Sequence, residues 1–136
     1  MQKTIEKENY LKVICKMNEK NQKITVTSLA QHFNLSKSTV SNMIKKLIAM
    51  NLVNSKPYKP IVLTKFGRKT GTQIISKHRL IELYLVKKMN FNKDEVHEIA
   101  EEIEHIKNIK FFYRMQEILG DIRIDPHGSK IPKCDF

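Results

Sequence analysis

Residues 28–50 read SLAQHFNLSKSTVSNMIKKLIAM, and this stretch decides the fold of the first part of the chain. Its pattern predicts a short helix that begins at Thr27, a tight turn over residues 34–36, and a longer helix from Lys37 to about Met50. Apolar residues recur at helical spacing in the longer helix, and its buried side is predicted to consist of Val40, Met43, Ile44 and Leu47. Two helices joined by such a turn form a helix-turn-helix motif.

The opposite side of the longer helix is polar. It carries short hydrogen-bonding side chains near its N-terminus, where Ser36 is the expected N-cap, and lysines further along. Side chains of these two kinds can reach base edges in the DNA major groove and contact phosphates. The predicted DNA-binding residues of this helix are Ser36, Lys37, Ser38, Thr39, Ser41, Asn42, Lys45 and Lys46. A small helical bundle with a polar outer surface is the alternative interpretation.

A wing is predicted after this recognition helix. Residues 51–54 end this helix, residues 61–64 are a β-rich run, and the basic, proline-bearing segment KPYKP lies between them at residues 56–60. Two short strands with such a tip are typical of a winged helix-turn-helix. Lys56 and Lys59 are predicted to contact the DNA backbone.

The chain is predicted to contain two domains and to be mainly α-helical. A first helix over residues 6–19 and a short β segment at residues 24–26 complete a DNA-binding domain at residues 1–64. Residues 65–136 are predicted to form a helical domain, which opens with a long helix to about Met89.

Charge supports this division. The formal net charge is +11, and residues 20–81 contain no Asp or Glu. From Glu82 onward, 11 acidic side chains outnumber nine basic ones, for a net charge of −2. A basic segment can also be a solvated face or a membrane-surface patch, but 62 residues without an acid favour a nucleic-acid partner.

Composition also excludes several classes of protein. No apolar run approaches the ~18 residues of a membrane span, and no signal-type apolar run follows Met1, so a cytoplasmic protein without a membrane partner is expected. Cys15 falls in an apolar helical pattern and Cys134 in a turn-rich tail, so no disulfide framework is expected.

The second domain carries a concentration of possible metal ligands. Residues 94–105 read DEVHEIAEEIEH, and helical spacing places four of them on one face: His97, Glu101, Glu104 and His105. His78 and Glu82 form another pair four residues apart on the preceding helix. Imidazoles and carboxylates together suit a divalent cation that accepts nitrogen and oxygen ligands. The alternative is an acidic, solvated helix face.

Two helices joined by a short break tend to be antiparallel neighbours, so the two groups of ligands could face each other and form one or two sites. A further helix is predicted over residues 108–119 and ends at Gly120. Ile109, Phe112 and Met115 on this helix are candidates for a dimer interface, and equally for the intrachain core.

Five short segments together resemble a known family. They are ENYLK at 8–12, KHRLIE at 77–82, VHE at 96–98 with EEIEH at 101–105, DPHG at 125–128 and IP at 131–132. In this order they resemble the metal-dependent repressors of the diphtheria-toxin-repressor and manganese-transport-regulator family, over essentially the whole chain. The resemblance implies a winged-helix domain, a helical dimerisation domain with two divalent-metal sites, and metal-activated binding to palindromic operators.

The resemblance also implies the ligands. One site is expected from His78, Glu82 and His97. A second is expected from Glu101, Glu104 and His105, with the first-helix position occupied by Asn9. Many members carry a further C-terminal domain that resembles an SH3 barrel and supplies ligands to the first site. This chain ends at Phe136, so water or another group is expected to complete that site.

Departures from the family pattern bear on the metal. Glu101 stands where iron-responsive members have Cys, and a carboxylate in place of a thiolate favours Mn(II) over Fe(II). His97, in contrast, matches the iron-type arrangement. Asn9 and Lys12 stand where manganese-type relatives with a binuclear cluster have carboxylates, so two separated sites are expected.

The predicted function is therefore that of a repressor. It binds Mn(II), or Fe(II) as second choice, and then a palindromic operator as a homodimer, to control metal-homeostasis genes. A winged-helix regulator that metal does not control is the first alternative. A helical di-metal enzyme is the second, but the acid-free half and the recognition helix argue against it, and no enzyme activity is expected.

Overall fold

The computed structural model describes residues 2–121, 123–132 and 136, and these residues form six helices and one two-stranded sheet. The elements are α1 (Gln2–Glu19), α2 (Val26–Phe33), α3 (Lys37–Ala49), β1 (Val53–Asn54), β2 (Val62–Leu63), α4 (Lys65–Met89), α5 (Val96–Ile103) and α6 (Ile109–Leu119). They group into two compact units, residues 1–71 and 72–136. The predicted mainly α fold is confirmed. Cys134 lies outside the described residues.

The first helix of the helix-turn-helix begins one residue earlier than predicted. The hydroxyl of Thr25 accepts a hydrogen bond from the Ser28 amide at 2.9 Å, and the Ser28 hydroxyl accepts one from the Thr25 amide at 2.9 Å. This reciprocal cap satisfies two amides and starts α2 at Val26. The predicted β segment at residues 24–26 is therefore wrong, although the Ile24 carbonyl does accept a hydrogen bond from the Ile61 amide at 2.7 Å.

The turn and the recognition helix follow the prediction closely. Asn34 ends α2 in the left-handed conformation (φ 53°), which asparagine tolerates better than most residues. Ser36 then caps α3, because its hydroxyl accepts a hydrogen bond from the Thr39 amide at 3.2 Å. The predicted apolar side of α3 is buried, with Val40 and Leu47 at zero exposure.

The wing is present as predicted, with two short strands of two residues each. Its strands β1 and β2 are antiparallel, with Val53 opposite Leu63 and Asn54 opposite Val62. The Thr64 hydroxyl then accepts a hydrogen bond from the Gly67 amide at 2.9 Å, which caps α4.

The second unit has its own apolar core. Buried side chains from α4, α5 and α6 form it, including Leu80, Ile81, Val96, Ala100, Phe112 and Leu119. Helix α5 is shorter than the predicted stretch 94–105. Just before it begins, the Glu95 carboxylate accepts a hydrogen bond from the Asn92 amide at 3.0 Å. None of the helices in the described part of the chain is both long and apolar enough to cross a membrane.

Gly67 allows the wing to approach α4 closely. A Cβ atom at this position would overlap the backbone carbonyl of Leu52, which cannot rotate away as a side chain could. Although alanine favours helix by ~1 kcal/mol over glycine, we expect Gly67→Ala to lower the free energy of unfolding by about 1–3 kcal/mol. Urea unfolding measures this change. Lys69→Ala, on an exposed position of the same helix, is the control and should stay within about 0.5 kcal/mol of the natural chain.

Candidate metal centre

His78 lies at the centre of the candidate site. Helix α4 places it one turn before Glu82, and the two side chains are 2% and 4% exposed. The imidazole Nε2 lies 3.1 Å from Glu82 Oε1, and its Nδ1 lies 3.4 Å from Glu104 Oε1. Two buried carboxylates therefore contact the two nitrogens of one buried imidazole.

His97 on α5 faces this group. Its ring centroid lies 4.9 Å from that of His78, and its Nε2 lies 3.0 Å from Glu101 Oε1. One ligand atom each from His78, Glu82 and His97 lies within 4.8 Å of the other two. The structure thus brings together the three residues that the resemblance implies for the first site. Because His97 is about half exposed, an ion could enter from its side.

The residues implied for the second site are arranged differently. Helix α5 ends at Ile103, so Glu104 and His105 lie in the turn that follows, and Glu104 points inward to His78. Glu101 is half exposed and pairs with His97. Within the described residues, Glu101, Glu104 and His105 are not gathered into one group with ligand geometry. Asn9 belongs to the first compact unit and is half-buried on α1.

The DPHG segment supplies two candidate ligands that sequence reasoning missed. One ligand atom each from Glu82, Asp125 and His127 lies within 4.8 Å of the other two, and His127 Nδ1 lies 3.4 Å from Glu82 Oε2. Asp125 Oδ1 accepts hydrogen bonds from the amides of His127 (2.8 Å) and Ser129 (2.9 Å), which shape the turn. The resemblance drew attention to this segment, but no local spacing linked it to Glu82.

The tautomer of His127 suits metal binding. Its Nε2 lies 2.8 Å from the Lys93 carbonyl oxygen, which can only accept a hydrogen bond. The proton of the neutral ring is therefore held on Nε2, and the lone pair of Nδ1 faces Glu82. A backbone carbonyl that orients the far nitrogen is a common support for histidine ligands.

The electrostatics of the site favour a cation. Burial alone would lower the pKa of His78, but hydrogen bonds to Glu104 and Glu82 and their negative charges outweigh it, so the pKa is raised. Burial alone would raise the pKa of Glu82. The hydrogen bond from His78 and the positive charges of His78, His127 and His97 outweigh burial and bring this pKa below its ordinary range.

Glu82 Oε2 is buried and accepts no hydrogen bond from the described residues. A buried carboxylate oxygen without a hydrogen bond is costly unless a cation approaches it. The imidazole and carboxylate donors around it are those that Mn(II) and Fe(II) accept, so the residues fit a divalent ion.

The predicted DNA-contacting residues are accessible. On the recognition helix and wing, ten positions were predicted, and all are exposed except Ser41, which is half-buried: Ser36, Lys37, Ser38, Thr39, Ser41, Asn42, Lys45, Lys46, Lys56 and Lys59.

The fold and the site together define a class of protein, a winged helix-turn-helix unit followed by a helical unit with a histidine–carboxylate cluster. Residues 3–61 match the family described as iron dependent repressor, N-terminal DNA binding domain. Residues 64–133 match the family described as iron dependent repressor, metal binding and dimerisation domain. The chain belongs to the iron-dependent repressor family. Members of this family are transcriptional repressors, which removes the enzyme alternative.

Individual relatives agree with this assignment. The chain is 33% identical over 110 residues to the uncharacterized HTH-type transcriptional regulator MJ0568 of Methanocaldococcus jannaschii. The aligned region covers 80% of this chain and 88% of that protein. It is similar to the structure of the manganese regulator SloR (TM-score 0.81, 37% identity, 93% of this chain). It is also similar to a manganese-dependent transcriptional repressor in complex with manganese (TM-score 0.85, 35% identity, 93% of this chain). The chain spans 59% and 58% of those two structures.

The contacts of His78 lead to a prediction for the protein without metal. In EDTA, His78→Ala leaves the buried carboxylates of Glu82 and Glu104 without their shared imidazole. We expect the free energy of unfolding to fall by about 3–5 kcal/mol, as when one partner of a buried ion pair is removed.

Urea unfolding in EDTA provides the measurement. His97→Ala is the matched control, because its half-exposed pair with Glu101 contributes less than about 1 kcal/mol. An equal fall in the free energy of unfolding for the two variants would show that His78 does not stabilise the buried carboxylates more than His97 does.

Proposed function

We propose that this chain is a metal-activated transcriptional repressor. It binds Mn(II) by preference, or Fe(II), and then binds a palindromic operator as a homodimer, to control metal-homeostasis genes. The single observation that carries this proposal is the buried Glu82 carboxylate, which lies among three histidines within the helical unit that follows the winged helix-turn-helix. A repressor of this kind is proposed to act in the cytoplasm.

Glu82 is the ligand around which the proposed site is arranged. Its Oε1 faces His78 and its Oε2 faces His127, so the carboxylate can bind one ion or bridge two. His97 completes the group on one side and Asp125 on the other. This assignment extends the three residues implied by the resemblance with two from the C-terminal segment.

A second ion is proposed at Glu101, Glu104 and His105. Two carboxylates and one imidazole again favour Mn(II) or Fe(II) over softer metals, because no thiolate is present. One similar structure is that of a manganese regulator and another is that of a manganese-dependent repressor in complex with manganese, which supports Mn(II) as the first choice.

Metal and DNA are proposed to bind cooperatively. A divalent ion stabilises the conformation of the chain in which ligand carboxylates converge, and activation requires that this conformation bind the operator more tightly. By the same linkage, operator DNA must raise the affinity for metal. The exposed polar residues of the recognition helix would contact base edges, and its lysines with those of the wing would contact phosphates.

A groove on the second unit is proposed to bind a second copy of the chain. It has a volume of about 440 Å³ and is lined mainly by apolar side chains, including Tyr84, Ile106, Phe111, Met115 and Ile118. Phe111 and Ile118 are 41% and 52% exposed on α6. The match of this region to a metal binding and dimerisation domain supports a second copy as the occupant.

The metal proposal is tested at Glu82. Fluorescence anisotropy follows labelled duplex DNA from upstream of the protein's own gene, with EDTA and then with Mn(II), anaerobic Fe(II) or Zn(II), at fixed salt. We expect the natural chain to bind about 5- to 150-fold more tightly with Mn(II), the range that corresponds to a typical coupling of 1–3 kcal/mol. Glu82→Gln should lose most of this gain because the amide removes the charged ligand.

Glu98→Gln, which removes an exposed carboxylate from the same region, is the control and should behave as the natural chain does. Equally tight binding with EDTA and with metal would instead support the regulator that metal does not control.

The dimer proposal is tested at Phe111. We expect Phe111→Glu to place a charge in the apolar groove and to shift the chain from dimer to monomer in analytical ultracentrifugation. Met89→Glu changes an exposed apolar side chain outside the groove, 56% exposed, and should leave the dimer intact. A Phe111→Glu variant that remains dimeric would place the interface elsewhere.

A further inference from the structure

Tyr58 at the tip of the wing is fully exposed. Its relative exposure is 107%, whereas no other large apolar side chain in the described residues exceeds 56%. An aromatic ring in this position gains nothing from packing within its own unit. The ring is therefore available to a partner.

The backbone at Tyr58 would normally favour another residue. The Lys59 amide donates a hydrogen bond to the Lys56 carbonyl at 3.1 Å, which closes a four-residue turn with Pro57 second and Tyr58 third. Tyr58 has a φ of 61°, and a proline followed by a positive φ is typical of a type II turn. Glycine or asparagine is preferred at the third position, and a bulky residue there is strained. Neither local conformation nor packing accounts for a tyrosine at this point.

The surroundings of Tyr58 indicate the chemistry of the partner. Lys56 and Lys59 flank it, and both are exposed. Pro57 and Pro60 restrict the backbone of the tip, so the backbone has little conformational freedom to lose when the tip binds a partner. Because residues 20–81 contain no acid, the tip lies in a segment that attracts polyanions.

We propose that Tyr58 contacts the sugar–phosphate backbone of duplex DNA. Its hydroxyl donates a hydrogen bond to a phosphate oxygen, its ring packs against a deoxyribose, and Lys56 and Lys59 pair with the phosphates on either side. This contact positions the wing and does not depend on base sequence. The inference rests on the DNA-binding part of the proposed function and is independent of its metal part.

A random-sequence duplex at low salt is sufficient to test a backbone contact. We expect Tyr58→Gly to weaken binding about 2- to 10-fold in fluorescence anisotropy, the ratio that corresponds to one net hydrogen bond. Tyr58→Phe, which retains the ring, should lie between this variant and the natural chain. The melting temperature of Tyr58→Gly should be equal to or above that of the natural chain, because glycine removes the strain at a positive φ.

Salt dependence separates Tyr58 from its neighbours. Tyrosine is uncharged, so the slope of log affinity against log salt should be unchanged in Tyr58→Gly. Lys59→Ala should reduce that slope by about 0.9, the value for one released phosphate counterion. Ser55→Gly, elsewhere in the wing, controls for loop flexibility and should bind as the natural chain does.

The outcomes are distinguishable. If the natural chain binds DNA and Tyr58→Gly binds equally well, the inference is wrong and the proposed function stands. If Tyr58→Gly weakens binding but also reduces the salt slope, the loss comes from displaced lysines, and a direct contact is again excluded. If the natural chain does not bind duplex DNA at low salt even with Mn(II) present, both the inference and the proposed function are overturned.

Discussion

The second unit depends on how the Glu82 carboxylate is held in its interior. Removing a carboxylate from water is costly, and here a second carboxylate, that of Glu104, lies on the other side of the same imidazole. Without metal, a proton on His78 offsets part of this cost, because the charged imidazole attracts both carboxylates. The same attraction raises the pKa of His78. A divalent ion that binds the histidine must displace that proton, so metal and protons compete for one position.

Packing explains why this position is fixed. Leu80 and Ile81 lie beside the metal-facing residues of α4 and are buried in the apolar core with Val96 and Phe112. The same helix therefore anchors the core on one side and holds His78 and Glu82 on the other. A ligand pair held in this way loses little further freedom when an ion binds, which favours affinity. His127 is held differently, by a backbone carbonyl and a turn organised by Asp125.

In the first unit, three hydroxyl caps set where the helices begin. Thr25, Ser36 and Thr64 each accept a hydrogen bond from an amide in the first turn of α2, α3 and α4. These caps are local, so sequence reasoning could find Ser36. It missed Thr25, because the apolar residues around it resemble a strand and the capping partner is Ser28 rather than an acidic residue. The β-rich run at residues 61–64 is likewise longer than the two residues, Val62 and Leu63, that pair with β1.

The sequence by itself determined the helix-turn-helix, the wing, the long α4 and the pairing of His78 with Glu82, because each depends on spacing within a few residues. It also determined the charge asymmetry of the chain. Only the tertiary structure turned Glu104 inward, placed His97 against His78, and brought Asp125 and His127 to Glu82. These contacts join residues that are 19 to 45 positions apart, and no local periodicity encodes which distant side chains will meet once the core has packed.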